Sequence, residues 1–326
     1  MPILDAVHDF AHPVENDGAW SESYYFNGYD PDADCGLFTR IGVRPNEGTL
    51  DGGLSVWLPG TDIATVHGVR PQAEMTDSAL EAAGVRYERL VPMRAWRLTC
   101  DAEATVRDLE RQRATRKTRL RMDLRFESLT PAVGVDGSPR AGAASAAAGQ
   151  STGKGHLEQA GRITGWVEAD GHRHEIAAAR GNRDKSWGPR RWGGPTFWRW
   201  FSANLGDDMH LGGILIGTSA GELHRGWIWR DGAFASIRQW DVRSELADDG
   251  LTHRTTRVRA RDAADRVHEL HGQILRVAPV VHEAGGRRTQ INEGLARWTC
   301  GDRQGYGIAE YLHQLDAEGR PVVEVR

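Results

Sequence analysis

Residues 118–126 read TRLRMDLRF. Leu120, Met122, Leu124 and Phe126 fall on one side of an extended chain, and Arg119, Arg121, Asp123 and Arg125 on the other. Side chains alternate across a strand with period two, so this segment reads as a half-buried antiparallel β-strand. The pattern recurs. GRITGWVEADGHRHEI (161–176) holds two such runs joined by Ala169, Asp170 and Gly171. GELHRGWIWRDGAFASIRQW (221–240) holds two more around Asp231 and Gly232. Asp-Gly between alternating runs is a hairpin signal. Residues 251–281 carry a further strand pair around a short polar turn. Many short antiparallel strands predict barrels or sandwiches.

Helical periodicity is sparse. MTDSALEAAG (75–84) offers Asp77 as an N-cap and Gly84 as a stop, which predicts one short helix. DAEATVRDLERQRA (101–114) is a second helical candidate with a thin apolar stripe. Residues 131–155 are low-complexity Ala, Gly and Ser. They offer too little apolar surface to offset ordering and read as a flexible insertion.

The chain has 326 residues. A typical domain holds roughly 100–200, so two domains are expected. The formal net charge of −4 argues against a nucleic-acid binder, which usually carries a basic surplus. The run RQRATRKTRLR (111–121) ends on the outward side of the strand above, so it reads as a solvated face. Cys35, Cys100 and Cys300 are far apart and odd in number, which suggests no disulfide framework or zinc site. The first residues lack a secretory pattern. No apolar run approaches the roughly 20 residues of a membrane span. A soluble, cytoplasmic protein is expected.

Three segments carry candidate chemistry. In SESYYFNGYDPD (21–32), Glu22, Tyr24 and Phe26 share a strand face. Burial would raise the carboxyl pKa toward that of a proton donor. In QGYGIAEYLHQL (304–315), Glu310 sits among apolar residues on one face, and Tyr311 and His313 lie on the other. Glu310 fits a barrel-interior acid or the partner of a buried arginine equally well. In GNRDKSWGPRRWGGPTFWRWFSANL (181–205), Asp184 stands between Arg183 and Lys185, which favour its ionised form. Trp187, Trp192, Trp198 and Trp200 could wall an apolar cavity whose polar groups are Asn182, Arg183 and Asp184. The alternative is a structural clasp, with indoles stacked on guanidinium planes. His210 shares a face with Ile214 and Ile216, as a core histidine or a neutral base. HELH (268–271) lacks metal-ligand spacing, and no nucleotide-binding or nucleophile-elbow motif occurs.

The stretches ESYYFNGYDPD, HLEQAGRITGWVEADG, GNRDKSWGPRRW, FWRWFSANLGDD and NEGLARWTCGDRQGYGIAEYL resemble the AttH-like/carotenoid 1,2-hydratase (hydroxyneurosporene synthase) superfamily. The nearer likeness is to a bacterial branch with an Arg-Asp-x-Ser-Trp-Gly signature, here Arg183 to Gly188. The resemblance covers about residues 20–315. It implies an all-β chain of two lipocalin-like antiparallel barrels in tandem, residues 1–186 (with the insertion at 131–155) and 187–326. Relatives include hydratases that protonate an isoprenoid double bond and pericyclases that fold a polyene. Asn182 departs from the pattern, because relatives often carry His there.

Two functions follow. One is a cofactor-independent lyase or isomerase acting by acid–base chemistry on a hydrophobic isoprenoid, terpenoid or polycyclic molecule. Its site is expected between the barrels or in a barrel mouth. Asp184 is the first candidate acid, with Glu310 and Glu22 as competitors and Tyr24, Tyr311 and His210 as further proton handlers. Phe26, Asn182, Arg183, Trp187, Trp192, Trp198 and Trp200 would contact substrate, with no metal required. The other is a non-catalytic lipid or terpenoid carrier. The expected partner in both is an apolar small molecule, with no nucleic acid. A homodimer is a possible assembly.

Overall fold

The computed structural model describes residues 1–139, 141–284 and 286–324. They group into two compact units. The N-terminal unit comprises Pro2–Gly137 and Gly155–Pro189. The C-terminal unit comprises Met1 and the described residues of Ser138–Lys154 and Arg190–Arg326.

The N-terminal unit carries β1 (Trp20–Asp30), β2 (Cys35–Arg44), β3 (Thr49–Trp57), β4 (Asp62–Pro71), β5 (Glu81–Ala82), β6 (Val85–Val91), β7 (Ala95–Asp108), β8 (Arg113–Ser128), β9 (Val133–Asp136), β10 (Gly155–Ala169) and β11 (His172–Pro189). They form an 11-stranded antiparallel sheet in the order β4-β3-β2-β1-β11-β10-β8-β7-β6-β5, with β9 on β10. Asp62–Thr65 of β4 also pairs with Thr105–Asp108 of β7, which joins the two arms into a closed ring. Period two explains its core. Leu120, Met122, Leu124 and Phe126 are buried, and Phe26 meets Tyr87, Trp96 and Phe126 edge-on at 5.2–5.7 Å. The alternate residues of β7 and β8 form exposed cross-strand pairs, Arg97 with Asp123 and Arg119 with Asp101, so the basic run is a solvated face.

The C-terminal unit carries α1 (Ala143–Gly149) and a closed antiparallel barrel of β12 (Phe197–Asn204), β13 (Met209–Thr218), β14 (Gly221–Arg230), β15 (Ala233–Leu246), β16 (His253–Asp262), β17 (Val267–Ala284), β18 (Arg287–Cys300) and β19 (Arg303–Leu315). Phe201, Trp240, Trp298 and Tyr311 fill its core. Residues 131–155, expected as a loop, hold β9 and α1; Arg140 lies outside the described residues. Arg225 of β14 donates to Ser145 of α1 at 2.7 Å.

The fold is all-β, as expected, and both Asp-Gly hairpins form. Asp170 and Gly171 have φ of 54° and 74°, and Asp231 and Gly232 have 51° and 83°. Neither expected helix forms. Residues 101–114 span β7, a turn and the start of β8, with Ala104, Val106 and Asp108 buried in alternation. Pairing with β8 overrides the helix propensity of Ala and Glu. Gly84 does mark a turn, but Ala83 and Gly84 (φ 53° and 76°) close a two-residue hairpin between β5 and β6. Among the described residues, no helix is long and apolar enough to cross a membrane. Among the described residues no disulfide occurs, and Cys35 and Cys100 are buried.

Candidate active site

Register decides what the charged stretch can do. β11 pairs with β1 as Glu22↔Trp187, Tyr24↔Lys185 and Phe26↔Arg183, and with β10 as Gly155↔Trp187, Leu157↔Lys185 and Gln159↔Arg183. Directly opposed residues share a face. Arg183, Lys185 and Trp187 therefore lie with Glu22, Tyr24 and Phe26, on the side that holds the apolar core. Asn182, Asp184 and Ser186 point the other way.

On the core side two cations are buried. Lys185 and Glu22 are both 0% exposed and form an ion pair. The Lys185 Nζ also donates to the carbonyls of His8 (3.0 Å) and Phe10 (2.8 Å), so its three hydrogens have acceptors. Burial pushes the Lys185 pKa down, against the opposing pull of Glu22. Arg183 donates to Asp9 Oδ1 at 2.7 Å and to Gln159 Oε1 at 2.8 Å. Asp9 Oδ2 accepts the Met93 N–H. Arg89 donates to Asp77 Oδ1 at 2.9 Å, and the Tyr24 hydroxyl donates to the same oxygen at 3.2 Å. Burial raises the Asp77 pKa, but the Ala11 N–H and Arg89 hold it below the ordinary carboxylate range. Burial and the nearby Glu22 and Asp77 carboxylates push the Tyr24 phenol well up. Asp9, Glu22 and Asp77 thus balance Arg89, Arg183 and Lys185.

A second line of contacts leads outward from Glu22. Its Oε2 accepts the His12 backbone N–H, and its Oε1 lies 2.9 Å from His12 Nδ1. The carboxylate can only accept, so Nδ1 carries the proton and Nε2 keeps its lone pair. His12 Nε2 lies 3.1 Å from His8 Nδ1, which must then be the donor. His8 is half-buried, and burial, then the neighbouring His12, lowers its pKa. Trp187 stacks on His12 at 3.8 Å and 9°, and on His8 at 5.4 Å and 13°.

Gly155 makes room for that indole. A Cβ there would come within 1.9 Å of Trp187 Cε2. Gly155→Ala is expected to push Trp187 off the imidazoles and to cost roughly 1–3 kcal/mol, the scale of overpacking. Urea unfolding checks this, and a midpoint unchanged from the parent would show that the indole has room to spare.

The remaining candidates lie apart from this cluster. Asp184, on the opposite face, is 20% exposed and has His156 Nε2 at 3.8 Å, so it braces neither Arg183 nor the Trp187 face. Asn182 is buried, and its Nδ2 has no hydrogen-bond partner. Four of the tryptophans divide between the units: Trp187 belongs to the N-terminal unit, and Trp192, Trp198 and Trp200 to the C-terminal one. Trp192 stacks on His282 at 4.3 Å, and the guanidinium of Arg190 lies 5.4 Å from its ring. Trp198 donates to Glu310 at 2.5 Å, and Trp200 opposes Glu310 across β12 and β19. Glu310 is on the outer side of the barrel, because its neighbours Ala309 and Tyr311 are in the core. His210 is held by Asn204 Oδ1 at 2.9 Å and the Asp207 carbonyl at 3.3 Å. Tyr311 faces inward, where its hydroxyl bonds Thr256 (3.0 Å) and Ser244 (2.6 Å).

His8, Asp9 and His12 were missed as candidates. Their sequence signal is the pair of histidines four apart around an aspartate in HDFAH. Asp77, Lys185 and Arg89 gave no signal of their own, because only pairing places them beside Glu22 and Asp9. Among the described residues, no cluster of three metal-ligating side chains occurs.

A family described as "Domain of unknown function (DUF7064)" matches residues 5–315. No curated protein matches the chain. Three solved structures are similar. A Nitrosomonas europaea protein described as an AttH (NE1406) is 13% identical, with 90% of this chain and 92% of that one covered and a TM-score of 0.63. Kievitone hydratase from Nectria haematococca is 13% identical, with 95% and 93% covered and a TM-score of 0.59. CghA, solved with Sch210972, is 13% identical, with 90% and 88% covered and a TM-score of 0.57. At these identities the likeness is one of fold, and that fold is AttH-like.

Proposed function

We propose that this chain, which belongs to the DUF7064 family, is an enzyme that moves protons on an apolar small molecule, adding or removing water or rearranging a C=C bond. The observation that carries this reading is the hydrogen-bonded line from the buried Lys185–Glu22 pair through His12 to His8. Lys185 pairs with Glu22. Glu22 fixes the His12 tautomer. His12 Nε2 then accepts from His8 Nδ1, which leaves His8 Nε2 as the terminal base. A proton taken up at Nε2 is compensated by passing the Nδ1 proton to His12, whose imidazolium Glu22 stabilises. In reverse the line delivers a proton. The Trp187 ring, stacked on both imidazoles, favours the cationic form of each as the proton passes. His8 is the catalytic residue of this proposal, and His12, Glu22 and Lys185 are positioning residues. The likeness in fold to kievitone hydratase and CghA supports the same reading. Of the three carboxylates considered as acids, Glu22 enters this line, as the anion that positions His12, and the proton itself is carried by His8 and His12.

The test is solvent exchange. The protein is incubated in deuterium oxide with a panel of isoprenoid alkenes and tertiary alcohols, and the recovered compounds are weighed by mass spectrometry. Deuterium incorporation is expected, reduced at least about 10²-fold in His8→Phe and in His12→Phe. Incorporation at the parent rate in both variants sinks the relay. A compound that binds stoichiometrically and returns unlabelled supports the carrier reading instead.

A further inference from the structure

Arg199 on β12 is 4% exposed and points into the C-terminal barrel with Phe197 and Phe201. Its Nη1 donates to the carbonyls of Trp198 (2.7 Å) and Leu312 (3.2 Å). Among the described residues, no carboxylate lies within ion-pair distance of it, and Nε and Nη2 find no acceptor. The Tyr311 ring centroid lies 4.3 Å from the guanidinium and that of Phe197 5.2 Å, which offset part of the lost hydration. Two histidines share this interior. His253 stacks on Tyr311 at 4.0 Å and donates Nε2–H to the Ala309 carbonyl, which leaves Nδ1 as an unpartnered acceptor. His313 is 1% exposed, and its Nε2 also lacks a partner. Burial and then Arg199 hold the His313 pKa at about 3, so it is neutral and supplies no counter-charge of either sign. A buried guanidinium without a counter-ion is costly, and natural interiors pair it.

Arg199 also opens onto space. It lines a cavity of about 350 Å³ together with Phe197, Leu215, Trp240 and Val242. That size is at the small end for a ligand site. Three carboxylates, Glu222, Asp241 and Glu324, also line it, but all three are exposed. Water screens such groups, while Arg199 is only 4% exposed and meets solvent through the cavity alone. We propose that this cavity is a binding site for a small amphipathic monocarboxylate, whose carboxylate pairs with Arg199 and whose tail lies on Phe197, Leu215 and Trp240. A single charge is specified, because a second anionic end would meet the three carboxylates. The site uses none of the His8–Glu22 residues, so it stands or falls apart from the proposed activity.

Titration calorimetry with octanoate and with 1-octanol tests it on the unmodified chain. Octanoate is expected to bind at least about tenfold more tightly, the mark of a charge-assisted pair. Arg199→Gln is expected to erase the difference while near-ultraviolet circular dichroism shows the fold retained. Equal affinity for the two compounds, no binding of octanoate, or an undiminished preference in a folded Arg199→Gln overturns the proposal. Should Arg199→Gln fail to fold, the comparison on the unmodified chain still decides.

Discussion

Lys185→Met is expected to destabilise the protein by roughly 3–5 kcal/mol, the range for removing one partner of a buried ion pair. Glu22 and Lys185 are both 0% exposed, so the carboxylate left behind has no water to turn to. The His8 and Phe10 carbonyls would lose their donor as well. The loss is charge-specific, because Met keeps most of the apolar stem. Lys185→Met combined with Glu22→Gln is therefore expected to recover a good part of the stability, since no buried charge remains unpaired. Urea unfolding of the parent, both single variants and the double variant measures this. A Lys185→Met protein within about 1 kcal/mol of the parent would mean that the pair is dispensable for folding.

Acidification is expected to strike the C-terminal barrel through two histidines. Burial lowers the pKa of His253 from 6.5 to about 4, with the Ala309 carbonyl opposing and Arg199 adding to the effect. Burial, Arg199 and His253 lower that of His313 to about 3. The unfolded chain takes up these protons near pH 6.5 and the folded one does not, so the unfolded state binds more protons in between. Stability is therefore full above about pH 6.5 and falls as the pH drops toward the folded values. By pH 4 each histidine withdraws about 3 kcal/mol, since every pH unit below the unfolded value costs about 1.4 kcal/mol. Urea midpoints at stepped pH should drop steeply between pH 6.5 and 4. His313→Gln and His253→Gln should each flatten the slope, whatever they do to stability at neutral pH. A slope unaltered in both variants would assign the acid sensitivity to other groups.

Alternation alone determined that this chain is built of antiparallel strands. The period-two runs at 118–126, 161–176 and 221–240 can bury one face each only when extended, and Asp-Gly can close a tight hairpin wherever it joins two of them. These are local effects, written within a few residues, and they survive any tertiary arrangement. The run at 101–114 misled because its local propensity is helical, while its pairing with β8 is the stronger demand. The shared face of Glu22, Tyr24 and Phe26 was legible for the same reason as the strands. What Glu22 faces was not. Lys185 is 163 positions away, since 185 − 22 = 163, and stands beside it only through the β1–β11 register. A slip of that register by one residue would put Asp184 where Lys185 is and turn the ion pair into repulsion. His8 and His12 reach the pair because the segment before β1 lies across it, a placement no periodicity records. Arg199 could have been noticed as a cation among Phe197, Phe201 and Ala203 on one face of a strand. That it has no counter-ion among the described residues depends on which strands close the barrel around it. The strand pattern is short-range and follows from the order of residues, whereas burial of charge depends on what the rest of the chain brings within a few ångströms, and only the closed sheets decide that.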